Sequence, residues 1–496
     1  MDRNRIQFYH ANHSVILVSS AIGFSTADPE EGLDRFIAIV IASSRLSLSE
    51  SGILHDLHNG KLFKISKNLP TSKVDTGMVC VQEGNTLEFG GDGKTEPFTL
   101  IYGETISHEP SLAGRSTAVL HAKCPRWQDI DLVVKISWPG SERVAENEFL
   151  EKAIRIAKSS TENEWALNHL PQVLYTQDVV FGEDSTHGKV ACLFTDAKFV
   201  NGEYKYERRT LRIIVQERLY PLKTLTNAKD IAQVLLDIAC SECFSFASHL
   251  PQTHAGLVHR WLYECAGILH RDLSLNNIMY RVIDGKVYGV LTDYDLASWK
   301  ASLTGDYQKT SQQMAGTPPF MANGLLDRTD PQHLYRHDVE SLFYVMLILA
   351  THYEIQAPEE GEDGGVRVRE GTLQFSNWFD APNYNVLGAC KSVFFTKLKP
   401  FEVSPSFKDF RRWLLMLQNS LSCGFWEKYQ QLCDMRSDRD DEPAPFDDET
   451  LGGHVTYSTI VQQASCLTGE LEGLVIRYHS PEGSPLISTG ATQVGA

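Results

Sequence analysis

The spacing of apolar residues changes near residue 220. Upstream they come in short alternating or clustered runs: RIQFYH (5–10), HSVILVSS (13–20), STAVLHA (116–122), DLVVKISW (131–138), KVACLFT (189–195) and LRIIVQERL (211–219). Runs of this length, rich in β-branched residues, predict strands. KLFKIS (61–66) and NTLEFGGDGKTEPFTLIYG (85–103) read as further short strands and turns. Two helices interrupt them. One opens at Asp28, with Pro29 and Glu31 completing a capping box ahead of FIAIVIA, and the other is ENEFLEKAIRIAKSS (146–160). Downstream, helical spacing takes over in IAQVLLDIA, LVHRWLYECAG and YRHDVESLFYVMLILA. The last is apolar at 339, 342, 343, 346, 347 and 350, which predicts a buried central helix.

A small strand-rich region followed by a larger helical one is α+β in order, and the cleft between two such lobes is the usual place for a ligand. The expected divisions are 1–100, 101–220 and 221–496. The last is interrupted twice. Pro251 within 239–254 would cost about 3 kcal/mol inside a helix, so that segment reads as an insertion. The acidic, glycine-rich stretch 357–372 reads as a solvated loop.

Composition narrows the chemistry. At 496 residues the chain exceeds what one core supports. Sixty-three acidic against 46 basic residues give a formal charge of −17, which argues against a nucleic-acid partner held through its backbone. Basic peptides or metal-bound anions suit it better. Ten scattered cysteines are too sparse for a disulfide scaffold, and Cys240 and Cys243 read as helix-face thiols rather than half a zinc site. No apolar run approaches a membrane span, so no membrane partner is expected and the protein reads as intracellular.

Chemistry concentrates in GILHRDLSLNNIMY (267–280). His270, Arg271, Asp272 and Asn277 are four fixed types at a spacing that arises by chance on the order of once in 10⁵ positions. Sixteen residues beyond Asn277 comes Asp293, across two apolar runs flanking Asp284-Gly285, a strong hairpin signal. Asp272, Asn277 and Asp293 can therefore converge, and three oxygen-bearing side chains suit Mg²⁺ and phosphate. Upstream, Lys135 is the lone charge of an apolar strand, and Val119 closes LAGRSTAV sixteen residues before it. That is the spacing a phosphate-covering hairpin leading to a lysine strand requires. An edge lysine pointing to solvent is the competing reading. Glu148 is the chosen helix carboxylate to hold Lys135, with Glu146 and Glu151 as competitors. Near 90–95, GGDGKT fails the nucleotide-cradling pattern because Glu88 stands where a glycine is needed. Asp338 is either the cap of the central helix or a buried anchor.

The ordered set Lys135, Glu148, HRDLSLNN, DYD, GTPPFMA and RHDVESL resembles the eukaryotic protein kinase signature. More narrowly, FYHANHSVILVSSAI, DRFIAIVIASSRLS, YECAGILHRDLSLNNIM and DDETLGGHVTY resemble the fungal-type protein kinase family. The resemblance implies a bilobal kinase-like fold: a family-specific α/β region (1–100), a β-rich nucleotide-binding lobe (101–220) and a helical lobe (221–496). It also implies ATP with Mg²⁺, and transfer of a γ-phosphoryl group to a protein hydroxyl, of serine/threonine type. Asp272 would orient the attacking hydroxyl and accept its proton. Asn277 and Asp293 would hold magnesium, and Lys135 would steady the α and β phosphates. Arg271 could dock a phosphorylated loop, with Thr304, Thr310 and Ser311 as candidates. Residues 216–219, including Glu217 and Leu219, would read adenine through their backbone.

Four features depart from the family pattern. The glycine loop is reduced to Gly114, with Leu112 and Thr117 at the neighbouring glycine positions. Asp295 replaces a glycine expected to be left-handed, Ser274 replaces a lysine, and Gly324 replaces a glutamate that would form a structural ion pair. The reduced glycine loop and the 239–254 insertion support a competing reading, a scaffold that binds ATP poorly.

Overall fold

In a computed structural model, the structure describes residues 96–109, 115–179, 207–239, 258–300, 316–326, 332–358, 364–435 and 446–471. Short stretches within 5–23, 37–41, 86–89, 188–192 and 474–486 are described as well. Expectations for Asp28, residues 61–66 and 90–95, Gly114, Cys240, Cys243, the 239–254 insertion beyond Ala239, and Thr304, Thr310 and Ser311 lie outside the described residues. The chain divides into two compact units, residues 1–143 with 172–218, and 144–171 with 219–496. It crosses from the first to the second for the last time between Arg218 and Leu219. Helix and sheet are segregated along the chain, making the protein α+β.

The first unit is built on a six-stranded antiparallel sheet: β1 (Thr86–Phe89), β2 (Phe98–Glu109), β3 (Thr117–Lys123), β4 (Leu132–Ser137), β5 (Val173–Val179) and β6 (Leu211–Glu217), in the order β1-β2-β3-β4-β6-β5. Side chains two apart share a face. Leu100 and Tyr102, Leu120 and Ala122, Val134 and Ile136, and Ile213 and Val215 thus form one core. Lys135 has the opposite parity. It lies in register between Val119 and Ile214 on the other face, at 8% exposure. Its strand has a neighbour on each side, so the solvent-facing edge lysine is excluded. Arg212 forks onto Asp178, its cross-strand partner, at 2.8 and 2.7 Å.

Of the strand expected at 189–195, residues 190–192 are described and are helical, and the strand in this part of the chain is Val173–Val179. A short apolar run does not distinguish the two states, and β5 carries its polar residues Thr176, Gln177 and Asp178 on a sheet edge.

The second unit contains α1 (Glu146–Lys158), α2 (Ala228–Ala239), α3 (Val258–Glu264), α4 (Tyr335–His352), α5 (Tyr384–Thr396), α6 (Arg411–Met435) and α7 (Tyr457–Glu470). All eighteen residues of α4 are buried, as its apolar spacing predicts. A three-stranded sheet joins β7 (Tyr220–Pro221), β8 (Ile278–Ile283) and β9 (Lys286–Leu291). The β8–β9 turn has Asp284 at φ 50° and Gly285 at φ 73°, the paired positive dihedrals that make Asp-Gly a hairpin signal. The stretch expected to be a solvated loop instead contributes the strand Gly365–Val368, antiparallel to Tyr353–Gln356 and burying Val366.

Gly289 fastens β9 to α2. Its N–H donates to Asp237 at 2.9 Å, and its carbonyl lies 2.7 Å from His169 Nδ1. A Cβ here would meet the Val234 carbonyl at 2.5 Å and the Asp237 Cβ at 3.1 Å. Gly289→Ala is expected to lose about 1–3 kcal/mol, read as a lower urea midpoint by tryptophan fluorescence. An unchanged midpoint would contradict this close approach.

Candidate functional site

Helix α1 buries Phe149, Leu150, Ala153 and Ala157 along one stripe. Phe149 lies 4.3 Å from the Trp299 ring, and Lys152 Nζ sits 4.4 Å over it, fixing the helix against the chain just beyond Asp293. Glu146 precedes Phe149 by three residues, so it shares the stripe and is 3% exposed. Its Oε1 accepts from Tyr294 N at 3.2 Å. Carboxylate oxygens of Glu146, Asp293 and Asp295 all lie within 4.8 Å of one another. Glu148 is elsewhere. It is exposed and accepts from Ala145 N at 3.3 Å as a helix-start group, so the helix carboxylate of this cluster is Glu146. The helical period was the signal for it, since Glu146 extends the 149-153-157 stripe while Glu148 and Glu151 face outward.

Asp293 adopts a left-handed backbone, φ 63° and ψ 72°, and starts the short turn Tyr294–Leu296. The strained residue of this segment is therefore Asp293 rather than Asp295. Tyr294 beneath it is fully buried, and desolvation pushes its hydroxyl pKa far up. Its ring packs 4.9 Å from His270.

The 270–277 loop is held by its own side chains. Asp272 Oδ1 accepts from both Thr317 N and Thr317 Oγ1 at 2.9 Å, and Oδ2 accepts from Asn277 Nδ2 at 3.2 Å. Asn277 Nδ2 also donates to the Asp272 carbonyl at 2.8 Å. With its amide nitrogen committed there, Asn277 offers its Oδ1 as the remaining acceptor. Its backbone donates to Ser274 O at 3.1 Å and accepts from Thr292 N at 2.9 Å, which ties the loop to the residue before Asp293. His270 Nε2 lies 2.9 Å from Thr292 O, so this nitrogen carries the proton.

Arg271 is the second left-handed residue, at φ 70°. Its N–H donates to Asp338 Oδ2 at 3.0 Å. The same carboxylate lies 2.9 Å from His259 Nε2 and 2.7 Å from His333 Nε2. Asp338 sits in the first turn of α4, whose cap is Leu334, so its role is anchor and not cap. Burial opposes its charge, but the two histidines hold its pKa well below the carboxylate range. Tyr457, ending the DDETLGGHVTY segment, lies 3.0 Å from His259 Nδ1 and joins α7 to this network. That segment's part in the site was not legible in the sequence.

Of the other predicted residues, Val119 and Lys135 are register neighbours on the first unit's sheet. Glu217 ends β6, and Leu219 begins the second unit's last segment. Asp272, Asn277, Arg271 and Asp293 lie in one connected stretch of the second unit.

A protein-family model described as fungal protein kinase matches residues 28–186 and 254–350, just over half of the chain. No curated protein matches it. No helix among the described residues is long and apolar enough to cross a membrane.

Burial lowers the pKa of His270, His333 and His337, outweighing the pull of Asp338 on each. All three stay neutral in the fold, whereas the unfolded chain takes up their protons below about pH 6.5. Stability is therefore fully present above that pH and lost below it, each histidine steepening the fall by up to about 1.4 kcal/mol per pH unit. Thermal unfolding at pH 7.5 and pH 5.5 is expected to show the lower midpoint at pH 5.5, and equal midpoints would be inconsistent with neutral buried rings.

Proposed function

The chain belongs to the fungal protein kinase family, and from that premise we propose that it is an active ATP-dependent kinase of bilobal fold, phosphorylating serine or threonine hydroxyls of a protein. The observation that carries the reading is the Asp272 carboxylate, bonded on one oxygen to Thr317 and on the other to Asn277. A general base must be fixed within hydrogen-bond reach of the proton it takes. Thr317 belongs to GTPPFMA, so the base is tied to the segment that would present a peptide hydroxyl. Thr317 also carries the serine/threonine reading, against Ser274.

The hard oxygen donors of Asp293, Asp295 and Glu146 fit a magnesium ion, which together with ATP would supply charge neutralisation at the transferring phosphoryl group. In this reading Asp293 and Asn277 hold the metal, with Asp295 as an added carboxylate. Lys135, buried on the sheet face opposite the core, neutralises the nucleotide phosphates. Gly114 and Val119 cover the phosphates, and Glu217 to Leu219 meet the adenine. Asp272 orients the attacking hydroxyl and takes its proton. Residues 101–220 then form the nucleotide lobe and 221–496 the catalytic lobe, behind a family-specific region over 1–100. The scaffold alternative rests on the replacement of two loop glycines by Leu112 and Thr117, which restricts close backbone approach to phosphates.

ATP with Mg²⁺ is expected to raise the thermal midpoint of the parent protein, and Asp293→Asn to abolish the rise. No rise in the parent favours the scaffold. With radiolabelled ATP and a mixed peptide library, Asp272→Ala is expected to cut incorporation by about 10²–10⁴. A parent no more active than that variant overturns the enzyme reading.

A further inference from the structure

Lys391, in the middle of α5, is wholly buried, which lysine side chains rarely are without a specific partner. Its Nζ lies 3.8 Å over the Tyr344 ring and 5.3 Å from the Trp378 ring, so aromatic faces replace part of its hydration. It donates to the Met321 carbonyl. Met321 is itself buried and follows the short turn Pro318–Phe320, outside any helix or strand. An apolar side chain at 391 would leave that buried oxygen without this donor.

The stretch that Lys391 grips carries Thr317. Four residues before Met321, Thr317 donates to Asp272 Oδ1 through its amide and its hydroxyl, each at 2.9 Å. The link between the two is stiff. Pro318 and Pro319 have fixed φ angles, and Phe320 N and Met321 N donate to Thr317 O and Pro318 O at 2.9 and 3.2 Å. A shift of Met321 is therefore transmitted to Thr317 rather than absorbed between them. Beyond Met321 the Asn323 N–H donates to Glu340 Oε1 of α4 at 2.7 Å, a second hold on the same stretch. Gly324 stands where an anchoring glutamate is usual, so the segment depends on residues brought to it by α4 and α5.

We propose that Lys391 is a positioning residue for the hydroxyl-bearing substrate: its hold on the Met321 carbonyl sets where Thr317 meets Asp272. Lys391 touches none of the reacting groups and acts only through the backbone of 317–321. The inference rests on the kinase reading for its substrate, whereas the hold itself stands on the contacts of Lys391.

The test compares the full parent chain with Lys391→Met, which keeps the length of the side chain and removes its donor, by amide hydrogen exchange and by kinetics on one peptide that the parent phosphorylates. Exchange of the Thr317 and Asn323 amides is expected to quicken about tenfold or more, with α4 unchanged as internal reference. The KM for peptide is expected to rise about tenfold, with the KM for ATP within about twofold of the parent. Lys391→Arg, which restores a cation with donors, is expected to recover both in part. Lys391→Gln, whose amide ends one atom short of Nζ, takes the place of Lys391→Met if that variant does not fold. Unchanged exchange at 317 and 323 overturns the hold. Exchange quickened equally in α4 marks general loosening and overturns it too. A quickened segment with an unchanged peptide KM, or with both KM values raised alike, overturns the substrate role. A parent without kinase activity overturns the kinase reading and the substrate role with it, while exchange still decides the hold.

Discussion

The second unit is organised around one buried charge. The Asp338 carboxylate is removed from water, and such a group survives only where donors replace its hydration. Here three do so: the N–H of Arg271 and the imidazoles of His259 and His333. Each donor belongs to a different part of the chain, so satisfying one carboxylate fixes the 270–277 loop, α3 and the lead-in to α4 against each other. Tyr457 extends the arrangement to α7 through the far nitrogen of His259. If His259 donates Nε2–H to Asp338, its Nδ1 is an acceptor, and Tyr457 supplies the proton. The polarity of the chain of bonds is then set throughout by the ionised aspartate.

That anchor explains the strain beside it. A left-handed conformation at a residue other than glycine costs about 1–2 kcal/mol, and Arg271 adopts one at φ 70°. The turn it makes aims the Arg271 N–H into Asp338 and lets Asp272 face Thr317 and Asn277. Asp293 repeats the device at φ 63°, and its neighbour's amide is taken by Glu146. Both strained residues stand immediately beside groups expected to do chemistry, and in both cases a buried carboxylate receives the backbone N–H that the turn exposes.

How much of this could be read from the sequence depends on whether a feature is local. The Asp-Gly hairpin, the strand around Lys135 and the burial of α4 follow from short-range spacing, and all three are present. The left-handed residue was expected at 295 because a glycine is usual there, yet the constraint falls at 293, where the chain leaves β9. Glu146 and Glu148 are separated only by the apolar stripe of α1, which reaches Glu146 in the first turn and leaves Glu148 exposed. Gly365–Val368 becomes a strand by pairing with Tyr353–Gln356, and the described residues 190–192 are helical; a short run's state depends on partners its own composition does not reveal. Asp448, Glu449 and Tyr457 show the same limit. They meet Arg336, Tyr263 and His259 across more than a hundred residues.

The segment 316–326 shows how a stretch with little structure of its own is positioned. Thr317 is fastened to Asp272 through both its amide and its hydroxyl. Four residues on, the Met321 carbonyl receives Lys391 Nζ, whose side chain is wholly buried over the Tyr344 ring at 3.8 Å. Burial lowers the pKa of Lys391 to about 7, against the attraction of Glu340. Glu340 in turn accepts from the Asn323 amide and from the Tyr344 hydroxyl at 2.6 Å. A buried base and a buried acid thus hold a carbonyl and an amide two residues apart, each offsetting part of the other's desolvation. The geometry of this segment is imposed by α4 and α5 through backbone groups, which any residue supplies. Side chains add to this hold, the Thr317 hydroxyl on Asp272 and Asn323 Nδ2 on Ser392 Oγ at 3.0 Å, and a glycine at 324 is compatible with an ordered segment.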